Sequence, residues 1–235
     1  MKHTKRFLAV VLCMLLMLTP LVTVAETVTV HAADTQTVKV KKDKKTGKRY
    51  GYDKNNQKVI NQWGVTAGGF RYYFGKDGAA YQYEVEKELI QYQKYQVLVK
   101  KIKEGNKSNW YAFDINGHMV TGVCVGTTST DMYSAKYLVY YFDEKTGKKN
   151  DKKTAEIRKY GTLANMSSRK SASKIKQLLG KPKKTIISDT TCFIPNGKGV
   201  DVTYIYDRVT LSVYRPTGQN AKNRELLESL TAREG

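Results

Sequence analysis

The sequence predicts a mainly β protein: a β-hairpin repeat region of solenoid-like form, followed by a small α+β module. Three observations predict it. Aromatic triplets recur, each running into a turn: Tyr72-Tyr73-Phe74-Gly75-Lys76-Asp77-Gly78, Trp110-Tyr111-Ala112-Phe113-Asp114-Ile115-Asn116-Gly117 and Tyr140-Tyr141-Phe142-Asp143-Glu144-Lys145-Thr146-Gly147. A lysine-rich stretch from Lys148 to Lys153 then ends that pattern. Beyond it, a helix-spaced segment leads into strands of alternating apolar residues.

The chain begins with Lys2, Lys5 and Arg6, an unbroken apolar run from Phe7 to Leu18, and small residues at Val30 and Ala32. Residues 1–32 therefore read as a secretory signal peptide, too short and wrongly flanked for a transmembrane span. No second apolar segment follows, so the expectation is a secreted chain without a transmembrane segment. Cleavage after Ala32 removes Cys13, His3 and His31, leaving His118 as the one histidine and Cys124 and Cys192 as the two cysteines. That subtraction disfavours a His/Cys zinc site, a serine triad and other histidine chemistry. The two thiols, assigned to different modules, are expected to be free and buried. The reading has no metal, no cofactor and no catalytic residue, and the chain is expected not to be an enzyme.

Residues 33–150 carry the repeats. Tyr50-Gly51-Tyr52-Asp53-Lys54-Asn55-Asn56-Gln57 is a degenerate further copy. Asp77-Gly78 and Asn116-Gly117 suit hairpin turns, whose central residues need positive φ. Alternating aromatics suit the first strand, and Met119-Val120-Thr121 the return strand. One such hairpin cannot bury its apolar face alone, so stacked hairpins are expected. Glu84 to Glu104 is ambiguous: Val85, Leu89 and Tyr92 have helical spacing while Val97 to Ile102 resembles a strand, and two long strands are preferred.

The segment from Trp110 to Gly122 resembles the cell-wall-binding (choline- or glucan-binding) repeat of secreted Gram-positive proteins. That repeat runs Trp-Tyr-Tyr-Phe-Asp, a turn ending in Gly, then Met-Val-Thr-Gly. The resemblance spans residues 44 to 150, with the copies at Tyr72 and Tyr140 matching its first half. It implies a non-catalytic carbohydrate-binding module that holds a secreted protein on wall glycan or glucan, with teichoic acid as a further partner. The ligand-binding candidates it implies are Trp63, Tyr72, Tyr73, Trp110, Tyr111, Tyr140 and Tyr141. Choline-binding copies usually end in Gly-Trp, and Trp is the best ring for a cation cage. Here Val123 follows Gly122, so choline is disfavoured against glycan. The competing reading is that these rings only form the hairpin core.

Residues 151–166 are expected as a linker and 167–235 as the α+β module. Ser171 is the candidate N-cap, Ile175, Leu178 and Leu179 have helical spacing, and Gly180 and Pro182 stop the helix. Strands follow at Thr185 to Phe193, Val200 to Tyr206 and Val209 to Arg215, with a turn at Pro195-Asn196-Gly197. Leu226, Leu227 and Leu230 suggest a short C-terminal helix within Asn223 to Arg233. The order helix, Leu-Leu-Gly-Lys-Pro, meander is similar to small helix-plus-sheet modules of bacterial envelope lipoproteins, which implies no site.

Other motifs carry little. Ser171-Ala172-Ser173-Lys174 and the Lys-Thr-Gly triplets at 45 and 145 match penicillin-binding motifs, but in the wrong order and with no Ser-Asp-Asn. His118 and Cys124 lack an orienting third residue. Lys145 spoils a calcium-loop reading of Asp143 to Gly147. The 41 Lys+Arg against 21 Asp+Glu give a net charge of +20, which calls for an anionic partner. Export makes nucleic acid a poor candidate and an anionic wall polymer a better one.

Overall fold

The structure is a computed structural model, and it describes residues 35–130, 135–160, 170–189, 191 and 198–235. The signal segment, Pro195-Asn196-Gly197 and Cys192 lie outside the described residues. The strands are β1 (Gln36–Thr37), β2 (Lys39–Lys42), β3 (Arg49–Tyr52), β4 (Gln62–Val65), β5 (Arg71–Phe74), β6 (Val97–Glu104), β7 (Lys107–Phe113), β8 (Met119–Val120), β9 (Gly122–Thr127) and β10 (Leu138–Phe142). The second half adds β11 (Lys184–Ile187), β12 (Gly199–Ile205), β13 (Val209–Pro216) and β14 (Leu226–Ala232). Helices are α1 (Ile90–Gln93), α2 (Asp151–Tyr160) and α3 (Ser173–Leu179). The fold is mainly β, as expected.

One local device recurs through the repeats. Five turns carry an aspartate whose Oδ1 accepts the turn's own backbone N–H groups: Asp43 from Lys45 and Thr46, Asp53 from Asn55 and Gln57, Asp77 from Ala79. Asp114 does the same for Asn116 and His118, and Asp143 for Lys145 and Thr146. Short carboxylates mimic a backbone turn in this way. The turns close on Gly47, Asn56, Gly78, Gly117 and Gly147, all at positive φ. Both Lys-Thr-Gly triplets are therefore turn chemistry, and the hairpin β2–β3 is one more member of the series.

The repeats stack through rings. Phe74 is fully buried, and Gly51 and Gly64 both lie against its ring. A Cβ at Gly64 would come within 2.9 Å of that ring, so the glycines let two backbones approach one Phe. Tyr72 and Phe74 face a cluster with Val38, Val59 and Ala80, whereas Tyr73 faces the opposite side with Trp63, Ile102, Tyr111 and Phe113. This is the period of two expected of strands.

The central sheet has the order β10-β9-β6-β7-β8. One of its faces is lined by Val97, Val99, Ala112, Val120, Cys124, Tyr140 and Phe142, all buried and all from the sheet's own strands. Lys149, bridged to Phe142, donates its backbone N–H to the Trp110 carbonyl. That contact ties the return chain of β10 to β7, and the sheet curls over its own apolar face. The preferred pair of long strands in Glu84 to Glu104 is half observed: β6 is a strand, but the first half holds a 3-10 turn at Lys87–Leu89 and the short α1.

Three further differences arise in the second half. Residues 151–160, expected as linker, form α2: Asn150 Oδ1 accepts the Lys153 N–H, Thr154 hydrogen-bonds the Tyr141 backbone, and Ile157 is fully buried. The supposed C-terminal helix is instead the strand β14. A bulge opposite Ser212 and Val213 adds one residue, so Leu227 and Leu230 both reach the core despite a spacing of three. A bulge reproduces a helical spacing in a strand. Ser171 is also displaced from the N-cap position, which Ala172 occupies. The alternation of Val200, Val202, Tyr204 and Tyr206 holds, all four lying on the core face.

Residues 33–235 form one compact unit. Val125, Val139 and Tyr141 of the central sheet share a cluster with Ile157, Ile175, Val202, Leu211 and Leu230. Helices α2 and α3 and the four-stranded sheet β11-β12-β13-β14 thus cover, at β9 and β10, the same face of the central sheet that the hairpins cover at β6 and β7.

Candidate functional site

Six of the seven candidate rings are core residues. Trp63, Tyr72, Tyr73, Tyr111, Tyr140 and Tyr141 are each at most 7% exposed, and a ring covered to that extent offers no face to a sugar. Trp63, Tyr73 and Tyr111 meet edge to face, with centroids 5.3 and 4.8 Å from Trp63. They converge on Glu104, whose carboxylate accepts from Trp63 Nε1 at 3.1 Å, Tyr111 Oη at 2.8 Å and Asn109 Nδ2 at 2.8 Å. Burial alone raises the Glu104 pKa, but the donated hydrogen bonds and Lys148 outweigh it, so the net shift is downward. Tyr111 is raised, by burial first and by Glu104 second. The polar ends of these rings are thus committed to internal partners.

Trp110 differs. It stands on the curled face of the sheet beside Ala112 but is only partly buried, so part of its ring meets solvent. The Lys149 ammonium lies 5.8 Å from its centroid. Similar cation–ring contacts recur: Lys58 over Tyr50 at 4.0 Å, Lys153 over Tyr141 at 4.3 Å, Arg158 over Tyr140 at 4.7 Å and Arg71 over Trp63 at 5.3 Å. Trp63, Trp110, Tyr140 and Tyr141 of the candidate rings therefore already face a cation of the chain's own, the kind of group a quaternary ammonium would have to displace.

A groove of about 640 Å³ runs between the repeats and the C-terminal module. One wall is the return strand of the best-matched repeat, Met119 to Val123; the other comes from the end of α3 and the β12–β13 turn. Tyr95, Tyr141 and Tyr206 line it together with Lys181, Lys183, Arg208 and Arg233. Arg208 is fixed by Asp114 at 3.1 Å, and Arg233 lies 4.6 Å over Tyr95. The sequence reading missed this groove because its residues are scattered from 95 to 233. The lone hint was the lysine pair Lys181 and Lys183 flanking a proline.

Two charged clusters sit on the C-terminal sheet. Glu225, 1% exposed, accepts from Lys176 Nζ at 2.6 Å, Tyr204 Oη at 2.7 Å and Arg215 Nε at 2.7 Å. Glu228, at the β14 bulge, is pushed up to about 7 by burial and then by the nearby Asp201 charge and hydrogen bond. The motifs set aside in the sequence are accounted for locally. Lys174 pairs with Glu156 at 3.4 Å. Among the described residues Cys124 is a free, fully buried thiol that burial pushes up to about 12. His118 stacks on Phe70 at 4.2 Å, and burial holds it below the ordinary imidazole value. Among the described residues no three metal-ligating side chains cluster, and no helix is long and apolar enough to cross a membrane.

No family model and no curated protein matches this chain. Solved structures similar to it include the modular Cpl-1 endolysin complexed with a peptidoglycan analogue, at 14% identity and a TM-score of 0.31, covering 86% of this chain and 39% of that one. Truncated alternansucrase from Leuconostoc mesenteroides is 15% identical at a TM-score of 0.31, covering 77% of this chain and 11% of that one. Alternansucrase in complex with isomaltononaose is 16% identical at 0.30, covering 81% of this chain and 12% of that one. The chain thus spans less than half the length of each.

Proposed function

We propose that the chain is a secreted, non-catalytic protein that attaches to cell-wall glycan or glucan through its aromatic β-hairpin repeats and its basic surface. The observation that carries this reading is Trp110. It belongs to the best-matched repeat, and of the seven candidate rings it alone keeps part of its surface open while its neighbours are locked in core. A half-open indole beside a cation suits stacking on a sugar ring. Choline fits poorly, since Trp63, Trp110, Tyr140 and Tyr141 already face the chain's own lysines and arginines.

The test is direct. Trp110→Ala should leave the fold intact and weaken binding to wall glycan by about 1–3 kcal/mol, the scale of one aromatic anchor. Tyr111→Ala should instead unfold the repeat, since Tyr111 is 1% exposed and losing a fully buried ring costs about 3–5 kcal/mol. Undiminished glycan binding by Trp110→Ala would overturn the reading. The burial of the other six rings favours a second one, a secreted structural or protein-interaction module whose repeats pack only on each other. That reading expects no glycan binding by the unaltered chain.

A further inference from the structure

The groove beside the repeats does not end at Arg233. A second trough of about 520 Å³ lies along the outer face of the C-terminal sheet, lined by Thr210, Thr231, Lys184 and their neighbours. The two concavities share Lys183 and Arg233. We infer that together they form one track for a linear phosphodiester polymer, with its phosphates held at Lys181, Lys183 and Arg233.

Charge decides the ligand class. The track carries Lys181, Lys183, Lys184, Arg208 and Arg233 against Glu144, Asp207 and Glu234, so its balance is positive. Arg208 is already tied to the buried Asp114. Lys183 pairs with Asp207 where both side chains are well exposed, and such a surface pair is worth little and exchanges readily. Lys181 and Arg233 have no carboxylate partner among the described residues. Polar donors continue the path: Thr121 in the groove, Thr210 and Thr231 in the trough. Tyr206 lines the groove with a buried hydroxyl that has no hydrogen-bond partner among the described residues, and a buried donor of that kind calls for one. Shape decides the length, because two joined concavities suit a chain better than a single small anion. Lysines act as point charges, which a monoanionic diester meets without demanding bidentate geometry.

This site rests on the wall-attachment reading but is separate from Trp110, so the two fail differently. The experiment measures binding of synthetic polyglycerol phosphate to the full chain across a salt series. The combined Lys181→Glu and Arg233→Gln change should lower affinity at least tenfold, while Lys107→Glu, at the start of β7 and off the track, should change it less than threefold. The slope of log K against log salt should fall by roughly one for each phosphate that is no longer neutralised. Binding of the same variant to neutral dextran, which reports Trp110, should not change. Equal losses for track and control variants, equally tight binding of polyglutamate, or binding to phosphatidylglycerol vesicles without binding to the polymer would overturn the inference. Loss of dextran binding with the polymer unaffected by the track variant would overturn it as well.

Discussion

Glu225 offers a sharp test of how the C-terminal module is held. Its carboxylate joins α3, β12 and β13 in one knot: Lys176 Nζ at 2.6 Å, Tyr204 Oη at 2.7 Å and Arg215 Nε at 2.7 Å. Tyr204 Oη also accepts from Lys176 at 3.2 Å and Arg215 at 2.9 Å. Replacing Glu225 with Ala leaves two cations facing each other with no counter-charge. Removing one partner of a buried pair costs about 3–5 kcal/mol. The Lys176 side chain is 26% exposed and can swing to water, whereas Arg215 is 12% exposed. The loss should therefore fall at the low end, near 3 kcal/mol. Tyr204→Phe removes one hydroxyl but keeps both ion pairs, and should cost about 1–2 kcal/mol. Urea unfolding reads both, as a fall in midpoint with the slope unchanged. If Glu225→Ala costs less than about 1 kcal/mol, the cations relax into solvent and the knot does not hold the helix to the sheet.

Other outcomes follow from the same geometry. Gly64→Ala should destabilise by about 1–3 kcal/mol, because the added methyl overpacks Phe74, whereas Gly105→Ala, with nothing within 4 Å, should show only the cost of its positive φ; thermal unfolding compares them. Glu228 has a folded pKa raised to about 7 against an ordinary 4.5, so the native state holds the extra proton. Its contribution is fully present below pH 4.5 and is lost as pH rises through 7. A full shift would correspond to about 3 kcal/mol, and solvent screening at this partly exposed site reduces it to about 1 kcal/mol. Glu228→Gln should flatten that part of the stability–pH curve, and an unchanged curve would refute the assignment. Asp114→Ala removes the acceptor for the Asn116 and His118 amides and the partner of Arg208. It should destabilise more than Asp53→Ala, whose turn is exposed, with urea midpoints deciding.

The hairpins were legible in the chain because their information is local. An aromatic strand, an aspartate and a residue able to take positive φ suffice to form a turn, whatever the rest of the protein does. The same holds for the alternation of β12 and for the stop of α3 at Gly180. Helix α2 was hidden because its residues are mostly charged, and only Ile157 and Thr154 reveal the face that packs on β10. Strand β14 was misread because a bulge turned period two into a spacing of three. Tertiary structure decided everything that depends on two faces of one strand. At the end of β7 both sides are covered, Tyr111 and Phe113 by the hairpin stack and Ala112 by the curled sheet, while Trp110 on the Ala112 side stays partly open, so alternation separated the faces but could not say which was wet. The groove, the Glu225 knot and the meeting of Asp201 with Glu228 join residues far apart in sequence. Their electrostatics exist only once the chain has brought those charges within a few ångströms, where Coulomb energies exceed thermal energy.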